Sequence, residues 1–288
     1  MGYRHIDNLY KETTILQFRA CFALEKVHGT SAHVMWRDGV LSFFSGGEKH
    51  ERFVGLFDHA ALSAAFTALG HAGVTVYGEA YGGSQQGMKA TYGEALCFVA
   101  FEVQVGETWL SVTNAADVCG KLGIEFVPFA QGPATVEWLN EQRDADSEIA
   151  IRRGMGPGKK REGVVVRPVL EFVDHRGNRV MAKHKRDDFR ETRTPREVNP
   201  EQLKVIVGAE AIAQEWVTSM RLDHVLDKIP KPHTAELTGT VIKAMIEDVE
   251  REAVGEIVVS AAARKAISAA TAKLYRSRWA APLDSVQP

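Results

Sequence analysis

Apolar and polar residues alternate in short runs from residue 17 to residue 185, and the pattern stops at Thr194-Pro195. Beyond it, apolar residues recur at helical spacing: Ile212, Trp216 and Met220, then Leu237, Val241, Met245 and Val249, with 203–207 and 257–274 reading the same way. A period of two and a period of 3.6 bury different faces, so one segment cannot satisfy both. The expected fold is therefore α+β: antiparallel sheets with flanking helices over residues 1–195, then a small all-α domain over 196–288. Pro230 and Pro232 divide the helices of the second part. With 288 residues, each part can bury its own core.

Composition is that of an ordinary globular chain, 45% hydrophobic and 25% charged, with no apolar run long enough to span a bilayer. The first eleven residues are polar and charged and lack the apolar centre of a signal peptide, so no membrane partner and a cytoplasmic location are expected. Cys21, Cys97 and Cys119 lie too far apart for a disulfide framework or paired zinc ligands and are expected to be reduced.

The net charge of −2 does not announce a polyanion partner, but the charge is unevenly spread. Residues 176–196 carry eight cations against three carboxylates, and Arg152, Arg153, Lys159, Lys160 and Arg161 form a second cluster. A local basic surface in a near-neutral chain is what phosphate binding needs, though a solvated charged face reads alike.

Within the first part, Glu25-Lys26-Val27-His28-Gly29-Thr30 places a lysine at the end of an apolar run and directly before a glycine turn. Lys26 is the candidate nucleophile. To attack phosphorus its amine must be uncharged, against an ordinary pKa of about 10.4, which calls for desolvation or nearby positive charge.

Three strands are expected over 17–45, with a hairpin at Asp38-Gly39. One helix is expected over 53–69, ended by Gly70. A strand over 74–83 delivers Glu79 at its end. A strand over 96–105 sets Phe101 and Glu102 on opposite faces, and either Phe98 or Phe101 offers a ring for a base. Helices over 114–123 and 135–144 precede a loop over 152–161 that is expected to be mobile. A strand over 162–168 carries Glu162 at one end and Arg167 near the other. Asp174 to Asn178 form a hairpin turn into Val180-Met181-Ala182-Lys183-His184-Lys185, where Lys183 and Lys185 share a face and need an anion between them.

In this order the segments resemble the covalent nucleotidyltransferases, and most closely the phage-type RNA ligase 2 family of ATP-dependent RNA ligases. Glu25-Lys26-Val27-His28-Gly29-Thr30 is similar to motif I, Tyr77 to Gly83 to motif III, Phe98 to Glu102 to motif IIIa, Glu162 to Arg167 to motif IV, and Ala182 to Lys185 to motif V. The resemblance covers residues 17–192 and implies an ATP-grasp-like ligase domain. Two departures stand out: Lys49 or Arg52 takes the place of an arginine the family carries after motif I, and Arg167 stands where lysine is frequent.

The resemblance further implies that Lys26 carries AMP between ATP and an RNA 5′-phosphate, and that a 3′-hydroxyl then displaces it. Lys183, Lys185 and Arg167 would stabilise charge on the phosphorus, and Glu79 and Glu162 would hold magnesium or manganese. Phe101 would stack on adenine, with Glu25, Val27, His28, Gly29 and Lys49 lining the nucleotide site and His28 near the phosphates. RNA ends, in a nicked duplex or otherwise, are the implied partner of a monomeric enzyme. Two rivals stay open. A DNA ligase or capping enzyme would carry a five-stranded barrel after motif V, where this chain reads as helices, and a non-catalytic nucleotide- or RNA-binding protein would tolerate loss of the lysine.

Overall fold

In the computed structural model, which describes residues 3–174, 176–198 and 205–278, β1 (Ala20–Lys26) and β2 (Thr30–Arg37) follow one another in sequence but enter different sheets. The switch happens at Gly29. A Cβ there would lie 2.3 Å from the Ala80 carbonyl oxygen, so only glycine lets the chain cross so close to the neighbouring strand.

In one sheet β1 lies between β7 (Phe129–Pro133) and β8 (Gly163–Pro168), with β9 (Ala182–Lys185) beyond β8. The other sheet runs β3 (Val40–Ser45), β2, β4 (Gly73–Tyr81), β5 (Cys97–Val105), β6 (Thr108–Trp109). All strand pairings in both are antiparallel. The β2–β3 hairpin turns at Asp38 and Gly39, with φ of 49° and 86°, as a tight hairpin requires.

Helices α1 (His50–Val54), α2 (His59–Leu69), α3 (Lys89–Tyr92), α4 (Val112–Lys121), α5 (Val136–Asp144) and α6 (Glu148–Arg152) flank these sheets. Alternate residues of the second sheet, Val34, Trp36, Val74, Val76 and Val103, are buried with Leu62 and Phe66 of α2 and Ala115 and Cys119 of α4. Each large side chain so buried contributes about 1.5–3 kcal/mol. A second core gathers Phe22, Leu24 and Val27 with Tyr81, Tyr92, Val99 and Ile149. The three cysteines are free, and burial pushes the thiols of Cys21 and Cys119 up to about 11 and 12.

The chain divides into two compact units, Met1–Asp188 and Phe189–Pro288. The second holds α7 (Ala209–Trp216), α8 (Ser219–Asp227), α9 (Thr238–Glu252) and α10 (Ala261–Ser277) around Ile212, Trp216, Leu222, Val241, Met245 and Ile267. Arg221, 1% exposed, is held inside it by Asp248 at 2.6 Å and Glu191 at 3.3 Å. Among its described residues only the isolated Ile206–Ile257 bridge is strand-like, so helices stand where a barrel was the alternative. No helix among the described residues is long and apolar enough to cross a membrane.

Several elements differ from expectation. The helix expected over 53–69 is two, because Asp58 caps α2 by accepting from the amides of Ala60 and Ala61 and the chain turns at Gly55 to reach it. Gly70, at φ 72°, ends α2 as expected. The helix expected over 257–274 starts only at the Ser260 cap, with Ile257 engaged in its bridge. Of the helix expected over 203–207, Leu203 and Lys204 lie outside the described residues, and Ile206 pairs as a bridge. A turn does stand at Asp174, closed by the Val173–Arg179 bridge, although His175 lies outside the described residues. The strand β7 carries glycine and proline and went unread.

Candidate active site

Lys26 is the last residue of β1 and pairs across to Gly163, the first of β8, which brings its side chain against the preceding residue, Glu162. Lys26 Nζ lies 2.7 Å from Glu162 Oε2. Gly163 sits at φ 153°, and a Cβ there would meet the His184 carbonyl oxygen at 2.1 Å, so β8 and β9 run unusually close. Its pairing with Lys185 sets that lysine's Nζ 2.9 Å from Glu162 Oε1. His28 Nδ1 is 3.1 Å from Glu162 Oε2. Glu162 is completely buried, and burial works to raise its pKa, but Lys185, Lys26 and His28 outweigh that and hold it well below the usual carboxylate range.

Glu79, on β4, accepts from the Gly29 amide at 3.0 Å. The two carboxylates thus fix one turn: Glu162 engages Lys26 and His28, Glu79 engages Gly29. Glu25 lines the cavity beside Lys26 and serves a second end as well. It caps α6, accepting from Ser147 Oγ and from the amides of Glu148 at 2.9 Å and Ile149 at 3.4 Å, and burial raises its pKa against the opposing pull of Arg161. Val27 is buried in the core between them.

A cavity of about 230 Å³ opens beside the lysine, lined by Lys26, Glu79, Phe101, Val165, Arg167 and Lys183, and also by Tyr3 to Ile6 of the N-terminal segment. The alternation expected for Phe101 and Glu102 does not hold. Pairing passes from Gly78–Ala100 to Tyr77–Glu102, leaving Phe101 as the extra residue of a β-bulge, and both side chains line the cavity. Phe98 instead packs into the core against Phe53 and Phe57, with centroids 5.5 and 5.7 Å away. Of the two candidate rings, Phe101 faces the cavity.

Arg167 lines this cavity, but its guanidinium is engaged by Glu102 at 3.1 Å, by Glu171 and by the Leu110 carbonyl at 2.8 Å. Arg179 adds bonds to Glu102 and Glu171 and lies 4.4 Å over the Trp109 ring. The result is a buried cluster of two arginines and two carboxylates behind Phe101. Lys49 stands at the start of α1, exposed, and Arg52 pairs with Glu48 at 3.2 Å; neither lines the cavity.

Sequence reasoning missed the N-terminal segment and the partners of the arginines. Glu102 is too far from the arginines in sequence for any spacing to signal their contact, whereas Glu171, four residues past Arg167 and eight before Arg179, was the available sign. Arg161, counted in a basic cluster, is 5% exposed and donates to the carbonyls of Asp146 and Gln142.

Chemically, the site offers a primary amine in the lining of a cavity, further cations at Lys183 and Lys185, and the Phe101 ring in the same lining. Its carboxylates, Glu79 and Glu162, are hard oxygen donors of the kind that magnesium or manganese takes.

Residues 19–185 match the family model described as RNA ligase. No curated protein matches the chain. Among solved structures, a Naegleria gruberi RNA ligase mutant with AMP and Mn aligns at a TM-score of 0.52 and 13% identity, over 66% of this chain and 57% of that one. A second mutant with ATP and Mn aligns with the same figures, and the Naegleria gruberi RNA ligase with PPi at 0.52 and 14%, with the same coverage. At these identities the likeness is one of fold, and the chain spans 57% of the length of those proteins.

Proposed function

The chain belongs to the RNA ligase family, and from that premise we propose that it joins RNA 3′-hydroxyl and 5′-phosphate ends, using ATP and a lysyl-AMP intermediate on Lys26. The observation that carries this reading is that Lys26 lines the cavity with its Nζ 2.7 Å from a fully buried carboxylate that also holds Lys185.

In the first step Lys26 Nζ, once deprotonated, attacks the α-phosphorus of ATP, forming an N–P bond as the bond to the pyrophosphate oxygen breaks. In the second, an oxygen of the RNA 5′-phosphate attacks the same phosphorus, and the N–P bond breaks to restore the amine. In the third, the 3′-hydroxyl oxygen attacks the 5′-phosphorus and AMP leaves. Each transition state gathers negative charge on oxygens around phosphorus, where Lys183 and Lys185 supply fixed positive charge.

Phe101 offers its face to adenine, and His28, fixed by Glu162, stands beside the phosphates. Glu79 and Glu162 would hold magnesium or manganese, which supplies charge against the triphosphate. Arg167 acts from behind the cavity, through its pairing with Glu102. Motif order and the helical second unit favour the phage-type RNA ligase 2 group, acting as a cytoplasmic monomer, over a DNA ligase or capping enzyme.

The test is direct. Incubated with ATP and magnesium, the protein should gain the mass of one AMP on Lys26, and Lys26→Ala should gain none. Label retained by that variant would refute the assignment.

A further inference from the structure

Resting on that nucleotide-pocket reading, we propose that Tyr3 is a positioning residue: it sets the Phe101 ring and fixes the base end of the cavity through Glu102.

The bulge leaves Phe101 without a cross-strand partner, so the strand alone does not hold its ring. The ring packs in part against the core that holds Leu24, Val99 and Val127, and Tyr3 meets it in a T-shaped contact, with centroids 4.9 Å apart and planes at 76°. The same tyrosine packs against Tyr77 at 5.3 Å and Trp109 at 6.4 Å. Its hydroxyl donates to Glu102, a carboxylate with no exposure that Arg167 and Arg179 also engage. Tyr3 is thus anchored to the Glu102 cluster by its hydroxyl while its ring packs in a T-shaped contact on Phe101. One side chain joins both.

The segment that carries Tyr3 is pinned at its other end as well. Lys183 N donates to the Asp7 carbonyl at 2.8 Å, and Leu9 N donates to the Lys183 carbonyl at 2.8 Å. Between these anchors Tyr3, Arg4, His5 and Ile6 all line the cavity. The segment is a wall of the pocket, held on one side by β9 and on the other by β5.

A ring fixed before the base arrives loses little freedom on stacking, so the benefit falls on nucleotide binding. Among the described residues the hydrogen bond of the Tyr3 hydroxyl goes to Glu102 and not to Lys26, Glu162 or Lys185, so the chemical step should be left alone. A KM effect without a kcat effect is therefore expected.

The experiment measures AMP transfer to Lys26 over a range of ATP concentrations for wild type, Tyr3→Phe and Tyr3→Ala, with melting temperatures followed in parallel. Tyr3→Ala should raise the KM for ATP roughly three- to tenfold, within the range an aromatic pair provides, with kcat within about twofold. Tyr3→Phe, which keeps the ring and loses the anchor, should fall between the two. Tyr3→Leu replaces Tyr3→Ala if the latter does not fold, and the same KM rise is expected of it. An unchanged KM in the ringless variant, or kcat falling in step with KM, overturns the inference. A wild type that takes no AMP overturns the nucleotide reading and this inference with it, whereas a charged wild type with an indifferent Tyr3 position overturns this inference alone.

Discussion

Lys26, Lys185 and His28 converge on the one carboxylate of Glu162, at 2.7, 2.9 and 3.1 Å. Without that charge two ammonium groups are left together around β8 with no carboxylate between them, and the amine loses the group that aims it. Glu162→Ala is expected to slow AMP transfer at least about a hundredfold, as losses of aimed electrostatics do, and Glu162→Gln should not rescue it, because charge rather than size is missing. Transfer within tenfold of wild type would remove Glu162 from the site. His184 gives a separate prediction on stability. Burial first, then Arg143, lowers its pKa to about 4, while Asp144 pulls the other way. Between about 6.5, the value in the unfolded chain, and about 4 the unfolded chain takes a proton that the folded one refuses. Stability is therefore complete above about pH 6.5 and falls on acidification through that window, by up to about 3 kcal/mol. Urea unfolding at pH 7 and pH 4.5 should show a smaller pH difference in His184→Asn than in wild type. At this scale the strand positions of Lys26, Glu79, Glu162 and the paired lysines were legible, because each sits where a strand ends or alternates. The commitments of Arg161, Arg167 and Arg179 were not, since a cation's partner is set by tertiary contact.

The elements matter through where they turn. Gly29 lets β1 pass to β2 within reach of β4, and its amide donates to Glu79. Gly29→Ala would drive a Cβ onto the Ala80 carbonyl, so the strand must move. A cost of roughly 1–3 kcal/mol is expected, as for other overpacked sites, with AMP transfer falling more than stability does, because the turn aims both carboxylates. Melting curves and transfer rates on one preparation check this; a variant as active as wild type would show that the turn tolerates the shift. The Asp38-Gly39 hairpin was readable because positive φ has a residue signature. The break between α1 and α2 was not, since apolar residues at helical spacing bridge it, although Asp58 was the available sign of a new cap. β7 escaped because Gly132 and Pro133 argue against a strand, and it forms as an outer strand beside β1. The bulge at Phe101 escaped because strict alternation was assumed.

For the whole molecule, the change of pattern at Thr194-Pro195 set the expected boundary at residue 195, and the chain divides into a sheet-bearing unit ending at Asp188 and a helical one starting at Phe189. What no local pattern announced is that neighbouring strands β1 and β2 belong to different sheets. Lys26, both carboxylates, Lys183, Lys185 and the cavity all lie in the first unit, which has its own cores. A chain ending at residue 195 should therefore still accept AMP on Lys26, at a rate within about tenfold of the full chain, or about 1.4 kcal/mol. Sealing is a different demand, since an RNA strand is a polyanion that must be held across more surface than one nucleotide. Arg196 and Arg221 of the second unit are engaged internally, Arg196 by Glu215 and Glu256 and Arg221 by Asp248, while Lys243, 80% exposed, has Glu247 at 3.9 Å on the same helix face. If exposed cations such as this one hold RNA, sealing by the full chain should fall more steeply with added salt than AMP transfer does, because each phosphate contact releases counterions. The shortened chain should seal at least about a hundredfold more slowly, or some 2.7 kcal/mol. Sealing at the full rate without residues 196–288 would show that the first unit alone grips the RNA.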